Sequence, residues 1–213
     1  WEPWADKKGE VPSAYGNFWR HFPIHSNNEI GFNDQINWVI NELRQNPQSR
    51  RLVVSAWAPG NAQTSALPPC HAFWVLNVQV DSNGQQILCL HLTQRSCDIA
   101  LGLPYNIAGY AFLLELISRF CGIKPGFFAH TLVDTHIYTS KVNGEKKEYD
   151  HLPGLQEQIA RTPRQLPYLE IDPNIKEIND IKSLLESSTE SLLKSFSLIN
   201  YDPHPPINFK VAV

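Results

Sequence analysis

Cys70, Arg95 and Ser96 are of types that can perform covalent and anion-binding chemistry. Cys70 follows two prolines, and a thiolate is a strong nucleophile when nearby positive charge lowers its pKa. Arg95 and Ser96 offer a guanidinium and a hydroxyl, a combination that holds phosphate. His71 is adjacent to Cys70 in sequence and is therefore poorly placed to act as its base. The structural alternative for Cys70 is a buried and inert thiol, the commonest state of a free cysteine.

Asn106, His136 and Tyr138 carry polar groups that suit a nucleoside. The Asn106 amide donates and accepts at once, so it can read a base edge that presents both a carbonyl and an N–H. His136 and Tyr138 are two residues apart on a predicted extended segment, so they project to the same face and can bind hydroxyl groups. The alternatives are a helix cap for Asn106 and a satisfied core pair for the other two.

A hairpin and a helix are predicted to position these side chains. Two alternating apolar runs, 72–80 and 87–94, are joined by Asp81-Ser82-Asn83-Gly84, which is typical of a hairpin turn. The hairpin returns the end of its second strand to the neighbourhood of the cysteine. Pro104 fits the first turn of the next helix and Gly122 is predicted to cap it. The predicted buried stripe of this helix is Ile107, Ala111, Leu114, Ile117 and Cys121.

The remaining chain predicts shorter elements. Aromatic residues cluster between 1 and 22, which indicates a core or interface, or a wall for a flat ligand. An amphipathic helix is expected over 33–46, because Ile36, Val39, Ile40 and Leu43 form one stripe. We further predict a strand over 52–57, an exposed loop over 25–31, an extended segment over 127–138 interrupted near Asp134, a surface insertion over 142–150, a helix over 155–161, a strand over 169–171 and a weak helix over 181–193.

Composition narrows the class of protein. The 213 residues are 42% hydrophobic and 18% charged, which predicts a normal core in one domain over 1–213. A net charge of -3 gives no electrostatic case for nucleic acid or a membrane as partner. No apolar run approaches the roughly 18 residues of a membrane helix, so a cytoplasmic location is expected. The four cysteines lack CxxC spacing, which argues against disulfides and a metal site. Because the chain begins at Trp1 and has no Met, we expect an upstream portion.

Taken together, these motifs resemble the thymidylate synthase family. The family's motifs occur in order as Trp-Ala-Asp at 4–6, Ser-Arg-Arg at 49–51, Leu-Pro-Pro-Cys-His at 67–71, Gln-Arg-Ser-Cys-Asp at 94–98, Leu-Gly-Leu-Pro-Tyr-Asn at 101–106, Asp-Thr-His-Ile-Tyr at 134–138 and Tyr-Asp-Pro-His-Pro at 201–205. The resemblance implies an α/β (α+β) fold with a mixed central sheet, helices on one face and a homodimer interface on the other. It also implies that the catalytic glutamate and one phosphate arginine lie upstream of Trp1, and that 142–151 is an insertion.

The resemblance further implies a reaction and a role for each site residue. The enzyme would methylate dUMP to dTMP with 5,10-methylenetetrahydrofolate and no metal, through addition of Cys70 to C6 of the pyrimidine. Catalysis would use Cys70, Asp98 and Asn106, supported by His71 and Tyr15. The nucleotide would bind Arg95, Ser96, Asn106, His136 and Tyr138, with Arg50 and Arg51 contributed by the partner subunit. The folate would bind Trp1, Trp4, Leu67, Asp98, Gly102, Tyr105 and Val213.

Two other functions stay open at the level of sequence. A deoxyuridylate hydroxymethylase shares the thiol attack but lets water quench the methylene intermediate, and Asn106 fits it equally. A non-catalytic binding module would keep the nucleotide pocket without needing Cys70 beside an anion site. The intact Cys70–His71 pair and the tail motif at 201–205 favour the synthase.

Overall fold

The chain divides into two compact units, Trp1–His136 and Ile137–Val213. A computed structural model describes residues 4–11, 14–26, 29–63, 65, 67–140 and 147–212. The elements of the first unit are α1 Tyr15–Arg20, β1 Phe22–Ser26, β2 Glu29–Asn33, α2 Gln35–Gln45, β3 Val53–Ser55, α3 Pro59–Ala62, β4 His71–Val80, β5 Gln86–Asp98, α4 Gly102–Cys121 and β6 Lys124–His136. Those of the second are a 3₁₀ turn Lys147–Tyr149, α5 Leu152–Ala160, β7 Tyr168–Ile171, α6 Ile178–Ser187, α7 Thr189–Lys194 and β8 Phe196–Ile199.

A mixed sheet of order β3-β4-β5-β6 forms the centre of the first unit. β4 pairs antiparallel with both β3 and β5, whereas β5 and β6 are parallel. Parallel neighbours need a crossover, and α4 supplies it by carrying the chain from the end of β5 to the start of β6. The predicted hairpin and the predicted mixed α/β class are both confirmed.

The two faces of this sheet differ in burial because side chains alternate along each strand. One face is core: Trp74, Leu76, Leu90 and Leu92 are all at most 2% exposed. α4 contacts β5 and β6, and α2 contacts β3. The neighbouring positions along the strands leave large apolar side chains open, with exposures of 42% at Val53, 38% at Phe73, 52% at Phe127 and 67% at Val133.

Helix α2 matches its predicted stripe, since Ile36, Val39, Ile40 and Leu43 are at most 6% exposed. Helix α4 also begins and ends as predicted: Pro104 lies in its first turn, and Gly122 caps it with φ +66° in the left-handed region.

The buried stripe predicted for α4 is wrong at two positions. Ile107 is 45% exposed and Ala111 is also exposed. Tyr110 is buried instead, because its ring stacks on Phe128 of β6 at a centroid distance of 6.0 Å and an angle of 8°. Ala111 lies about 100° further round the helix from Tyr110, so this stack turns it away from the sheet.

Two other predictions of irregular structure are wrong. A loop is predicted over 25–31, but its described residues 25, 26 and 29–31 belong to β1 and β2, which pair antiparallel from Phe22↔Asn33 to Ser26↔Glu29. Residues 27 and 28 lie outside the described residues. The interruption expected near Asp134 is absent, because Asp134 pairs with Ser96 and the ladder with β5 satisfies the backbone. The Asp134 side chain is 72% exposed, so the strand continues without burying the carboxylate charge.

In the second unit, the predicted helix and strand correspond to α5 and β7. The single helix expected over 181–193 is two helices, because Ser188 is extended and its hydroxyl accepts the N–H of Ser191 to cap α7. Of the insertion predicted over 142–150, residues 142–146 lie outside the described residues, and the rest begins with the 3₁₀ turn Lys147–Tyr149. No helix in the described part of the chain is long and apolar enough to span a membrane.

Candidate active site

Cys70 lies at the end of the loop that enters β4, beside Arg95 of β5. Arg95 Nη2 is 3.8 Å from Cys70 Sγ. The same guanidinium donates to the carbonyls of Pro69 through Nε at 2.9 Å and of Pro68 through Nη2 at 3.0 Å. The Arg95 backbone N–H donates to the Cys70 carbonyl at 2.8 Å. The arginine therefore fixes the loop that carries the thiol and puts a positive charge next to the sulfur.

A second support for Cys70 comes from Tyr15 of α1. Its Oη accepts the backbone N–H of Cys70 at 3.0 Å. Its ring stacks on His71 with centroids 4.4 Å apart and planes 16° from parallel. Burial raises the pKa of Tyr15 to about 12, and the charge of Cys70 acts in the same direction. Tyr15 is therefore a neutral phenol at working pH.

His71 is also neutral in the folded protein. Burial lowers the pKa of His71 to about 4, while a hydrogen bond with Asn106 acts more weakly in the opposite direction. The Tyr110 ring meets the imidazole edge-on at 5.2 Å. Packing between two tyrosine rings explains the desolvation, and it makes this histidine a neutral hydrogen-bonding group beside the thiol.

Asn106 does not cap helix α4. The N-cap position is Leu101, and Asn106 lies inside the helix. The Asp98 carboxylate orders the turn before the helix by accepting the N–H groups of Ala100 at 2.9 Å and Leu101 at 3.3 Å. Asn106 is therefore left for another role, and the structural alternative for it does not hold.

Gln94 and His130 are polar neighbours of Asn106 that the sequence interpretation missed. Gln94 is 2% exposed and donates through Nε2 to the Asn106 Oδ1 at 3.0 Å and to the Ser96 carbonyl at 2.8 Å. His130 Nε2 is 2.9 Å from the Gln94 Oε1. For Gln94 the sequence did carry a signal, because this glutamine continues the alternating series Leu88, Leu90, Leu92 of β5 and so falls at a buried position. A buried polar side chain needs hydrogen-bond partners.

A cavity of about 350 Å³ adjoins these groups. Its walls are mostly aromatic and aliphatic, with few polar groups, as is common in small-molecule sites. It is lined by Tyr15, Trp19, His71, Tyr105, Asn106, Gly109, Tyr110, Phe112, Leu113 and Leu116. Three predicted catalytic residues, Tyr15, His71 and Asn106, therefore share one cavity.

The other predicted site residues of the first unit lie at varied depths around this cavity or elsewhere in the unit. Arg50 and Arg51 are exposed in the loop before β3, and Tyr105 is 75% exposed. Gly102 lies next to Asn106, since an added Cβ would be in ordinary van der Waals contact with its Oδ1 at 3.4 Å. Trp4, Leu67 and Ser96 are half-buried, and His136 Nδ1 is 3.8 Å from Asp134 Oδ2. Trp1 lies outside the described residues.

In the second unit, Tyr138 and the C-terminal segment meet at His151. The Tyr138 carbonyl accepts the His151 backbone N–H at 2.9 Å, and His151 Nε2 is 2.8 Å from the carbonyl of Lys210. The His151 ring packs edge-on against Tyr138 at 5.8 Å and Phe209 at 5.1 Å. The segment before Val213 is thus tied down, while Val213 itself lies outside the described residues.

The four cysteines are free thiols in different surroundings. Cys89 and Cys97 are at most 4% exposed, and burial raises the pKa of Cys97. Burial also raises the pKa of Cys121 to about 11. Cys70 is half-buried and has a guanidinium beside it. The alternative of an inert cysteine in packed hydrocarbon therefore does not describe Cys70.

Fold and site together place a half-buried thiol beside a guanidinium, an arrangement that is typical of enzymes with a cysteine nucleophile. Comparison with known proteins gives the family. The model of the thymidylate synthase family matches residues 1–213. The chain is 36% identical to a thymidylate synthase of Haloferax volcanii over an alignment of 268 positions, which covers all of this chain and 73% of that protein. The chain therefore belongs to the thymidylate synthase family.

This membership confirms the resemblance and establishes the general activity. The chain is a methyltransferase that acts on dUMP in dTMP biosynthesis. The family uses methylenetetrahydrofolate as co-substrate, and its enzymes are generally dimers.

Proposed function

We propose that this enzyme converts dUMP to dTMP through a covalent adduct between Cys70 Sγ and C6 of the pyrimidine. Addition of the thiolate at C6 moves an electron pair towards C5, which then bonds to the one-carbon unit of 5,10-methylenetetrahydrofolate and loses its proton. The bond between this carbon and the folate nitrogen then breaks, which leaves an exocyclic methylene on the pyrimidine and frees tetrahydrofolate. Hydride transfer from tetrahydrofolate to the methylene completes the methyl group, expels the thiolate and leaves dihydrofolate. The observation that carries the proposal is the 3.8 Å contact between Cys70 Sγ and the Arg95 guanidinium.

Asn106 selects the base in this proposal. Its Oδ1 already faces the amide of Gln94, so its NH₂ group is the end that suits the C4 carbonyl of uracil. The Oδ1 has a second lone pair that can accept the N3–H of the same ring. Neutral His71 and neutral Tyr15 assist at the thiol, since neither changes charge near pH 7.

Arg95 and Ser96 bind the phosphate, together with Arg50 and Arg51 of a partner subunit. Within the described residues, the contacts of Arg95 use Nε and Nη2, so Nη1 is the nitrogen that suits a phosphate oxygen. The exposed apolar side chains on the outer sheet face support a homodimer through that face, because large exposed patches mark interaction sites. Arg50 and Arg51 are exposed just before β3, which belongs to that sheet.

The remaining assignments follow the family resemblance. His136 and Tyr138 bind the sugar hydroxyl, and Asp98 serves both catalysis and the folate. The folate also contacts Trp1, Trp4, Leu67, Gly102, Tyr105 and Val213. We further propose that 1–213 acts as one catalytic domain, in the cytoplasm and without a metal.

A product assay tests the reaction. Incubation with dUMP and methylenetetrahydrofolate should give dihydrofolate in step with dTMP, followed by absorbance and chromatography. Tetrahydrofolate with 5-hydroxymethyl-dUMP would instead identify a deoxyuridylate hydroxymethylase, and consumption of neither substrate would leave only the binding module.

A second experiment tests the nucleophile. The wild type should form a covalent complex with 5-fluoro-dUMP and the folate, visible by mass spectrometry, and Cys70→Ala should not. Cys121→Ala is the matched control, because this half-buried thiol has a pKa raised to about 11 and should leave the complex intact. A covalent complex in Cys70→Ala would refute the assignment.

A further inference from the structure

Asn106 stands at the end of a row of three polar side chains on the core side of the sheet. His130 of β6 contacts Gln94 of β5, and Gln94 contacts Asn106 of α4, at 2.9 Å and 3.0 Å respectively. β5 and β6 are parallel neighbours, in which Leu92 pairs with His130 and Gln94 with Leu132. The row is therefore built by the sheet register and not by neighbours in sequence.

The direction of these hydrogen bonds is determined by the Ser96 backbone carbonyl. A carbonyl oxygen only accepts, so the Gln94 group facing it at 2.8 Å must be the NH₂. The same NH₂ reaches Asn106, which must therefore present its own carbonyl oxygen. The other end of the Gln94 amide is an oxygen, so His130 must carry a proton on Nε2.

The surroundings of His130 favour one protonation state. Among the described residues, the buried Nδ1 has no hydrogen-bond partner, so a proton there would be a buried donor without an acceptor. The Phe128 ring packs against the imidazole at 5.2 Å. Burial lowers the pKa of His130, and the charge of His91 adds to this effect. His130 is therefore a neutral donor in one tautomer.

We propose that His130 is a positioning residue for base selection, which supplies the Nε2–H that keeps Gln94, and through it Asn106, in the orientation that suits uracil. The inference rests on the proposed role of Asn106. Without this donor the Gln94 oxygen is buried and unpaired, which is unfavourable in free energy. The Gln94 side chain is then more stable in a different rotamer. Of the two side-chain hydrogen bonds that hold its amide, Asn106 then keeps only the one with His71. An amide that can turn accepts the C4 amino group of cytosine as readily as it donates to a carbonyl.

The test compares three substitutions at position 130. His130→Leu removes the donor, His130→Asn keeps an amide that is too short to reach Gln94, and His130→Gln keeps an NH₂ near the place of Nε2. The measurements are the dissociation constants of dUMP and dCMP by tryptophan fluorescence, with the melting temperature as a check on folding. We expect the dUMP preference over dCMP to fall about tenfold in His130→Leu and His130→Asn, and to be largely restored in His130→Gln.

A double-substitution cycle separates a role through Asn106 from a general structural effect. In an Asn106→Asp background, His130→Leu should not change the ratio of the two dissociation constants further. The same change in both backgrounds would overturn the inference. An unchanged ratio in both His130→Leu and His130→Asn would also overturn it, while leaving the proposed function intact if Asn106→Asp alone relaxes the preference. A wild type with no preference for dUMP would refute the proposed role of Asn106 and the inference with it.

Discussion

Removal of the Tyr15 hydroxyl tests how the thiol loop is held. Tyr15→Phe keeps the ring that stacks on His71 at 4.4 Å and deletes only the Oη that accepts the Cys70 N–H at 3.0 Å. A buried donor left unpaired costs ~1–3 kcal/mol, and because Cys70 is half-buried, water offsets part of this. We expect a loss of about 1–1.5 kcal/mol. If that loss falls on the addition step, the rate falls about 5- to 13-fold, at 1.36 kcal/mol for each factor of ten.

The assay has two parts: the free energy of unfolding in urea, and the initial rate of dihydrofolate formation at saturating substrates. Burial raises the pKa of Tyr15 to about 12, so the loss of rate should be equal at pH 6, 7, 8 and 9. Tyr168→Phe is the matched control, because this tyrosine of β7 is 63% exposed and lies in the other unit. A Tyr15→Phe enzyme with an unchanged rate and unchanged stability would refute the reasoning. A loss confined to high pH would show that a phenolate acts in its place.

Three further predictions concern stability and the anion site. Burial lowers the pKa of His71 from 6.5 to about 4, so between these pH values the unfolded chain binds more protons than the folded chain. The free energy of unfolding, measured by urea titration, should therefore fall from pH 7 to pH 4. The fall should be smaller in His71→Asn, which lacks the titrating group. Gly154→Ala would put a Cβ 2.6 Å from the Phe209 ring and should destabilise the folded protein by ~1–3 kcal/mol. The Cβ of Gly109→Ala, inside a helix, would meet nothing within 4 Å, so this substitution should stabilise the folded protein by ~0.5–1 kcal/mol. Equal effects of the two substitutions would contradict this reasoning. Arg95→Lys keeps the positive charge but loses the paired hydrogen bonds that the guanidinium donates to the carbonyls of Pro68 and Pro69, so kcat should fall at least ~tenfold. An unchanged kcat would show that the charge alone suffices.

The parts of the fold that sequence predicted are those with a strong local pattern. The hairpin has period-two alternation and a turn at Asp81, whose carboxylate accepts the N–H groups of Asn83 and Gln85. The end of α4 is set by Gly122, where a positive φ favours glycine. Because β4 and β5 are antiparallel, the same local pattern also places Arg95 beside Cys70.

The parts that were missed depend on contacts between distant segments. The contact of His130 with Gln94 comes from the parallel pairing of β5 with β6, which no local pattern encodes. The rotation of α4 follows from the stack of Tyr110 on Phe128, and periodicity alone did not fix it. The polar sequence over 25–31 predicts a loop, although the backbone pairing of β1 with β2 does not require apolar side chains.

The unequal surroundings of the four thiols make the wild-type chain suitable for labelling at one position. Cys89 and Cys97 are shielded by the core, and the raised pKa of Cys121 keeps it protonated at neutral pH. Cys70 is half-buried with the Arg95 guanidinium 3.8 Å from its sulfur, whereas at half-buried Cys121 the effect of burial outweighs the charge of Arg44. One equivalent of iodoacetamide-linked dye at pH 7 should therefore attach to Cys70 without prior removal of the other cysteines. Pre-bound nucleotide should protect the same sulfur, so the dye would report occupancy directly.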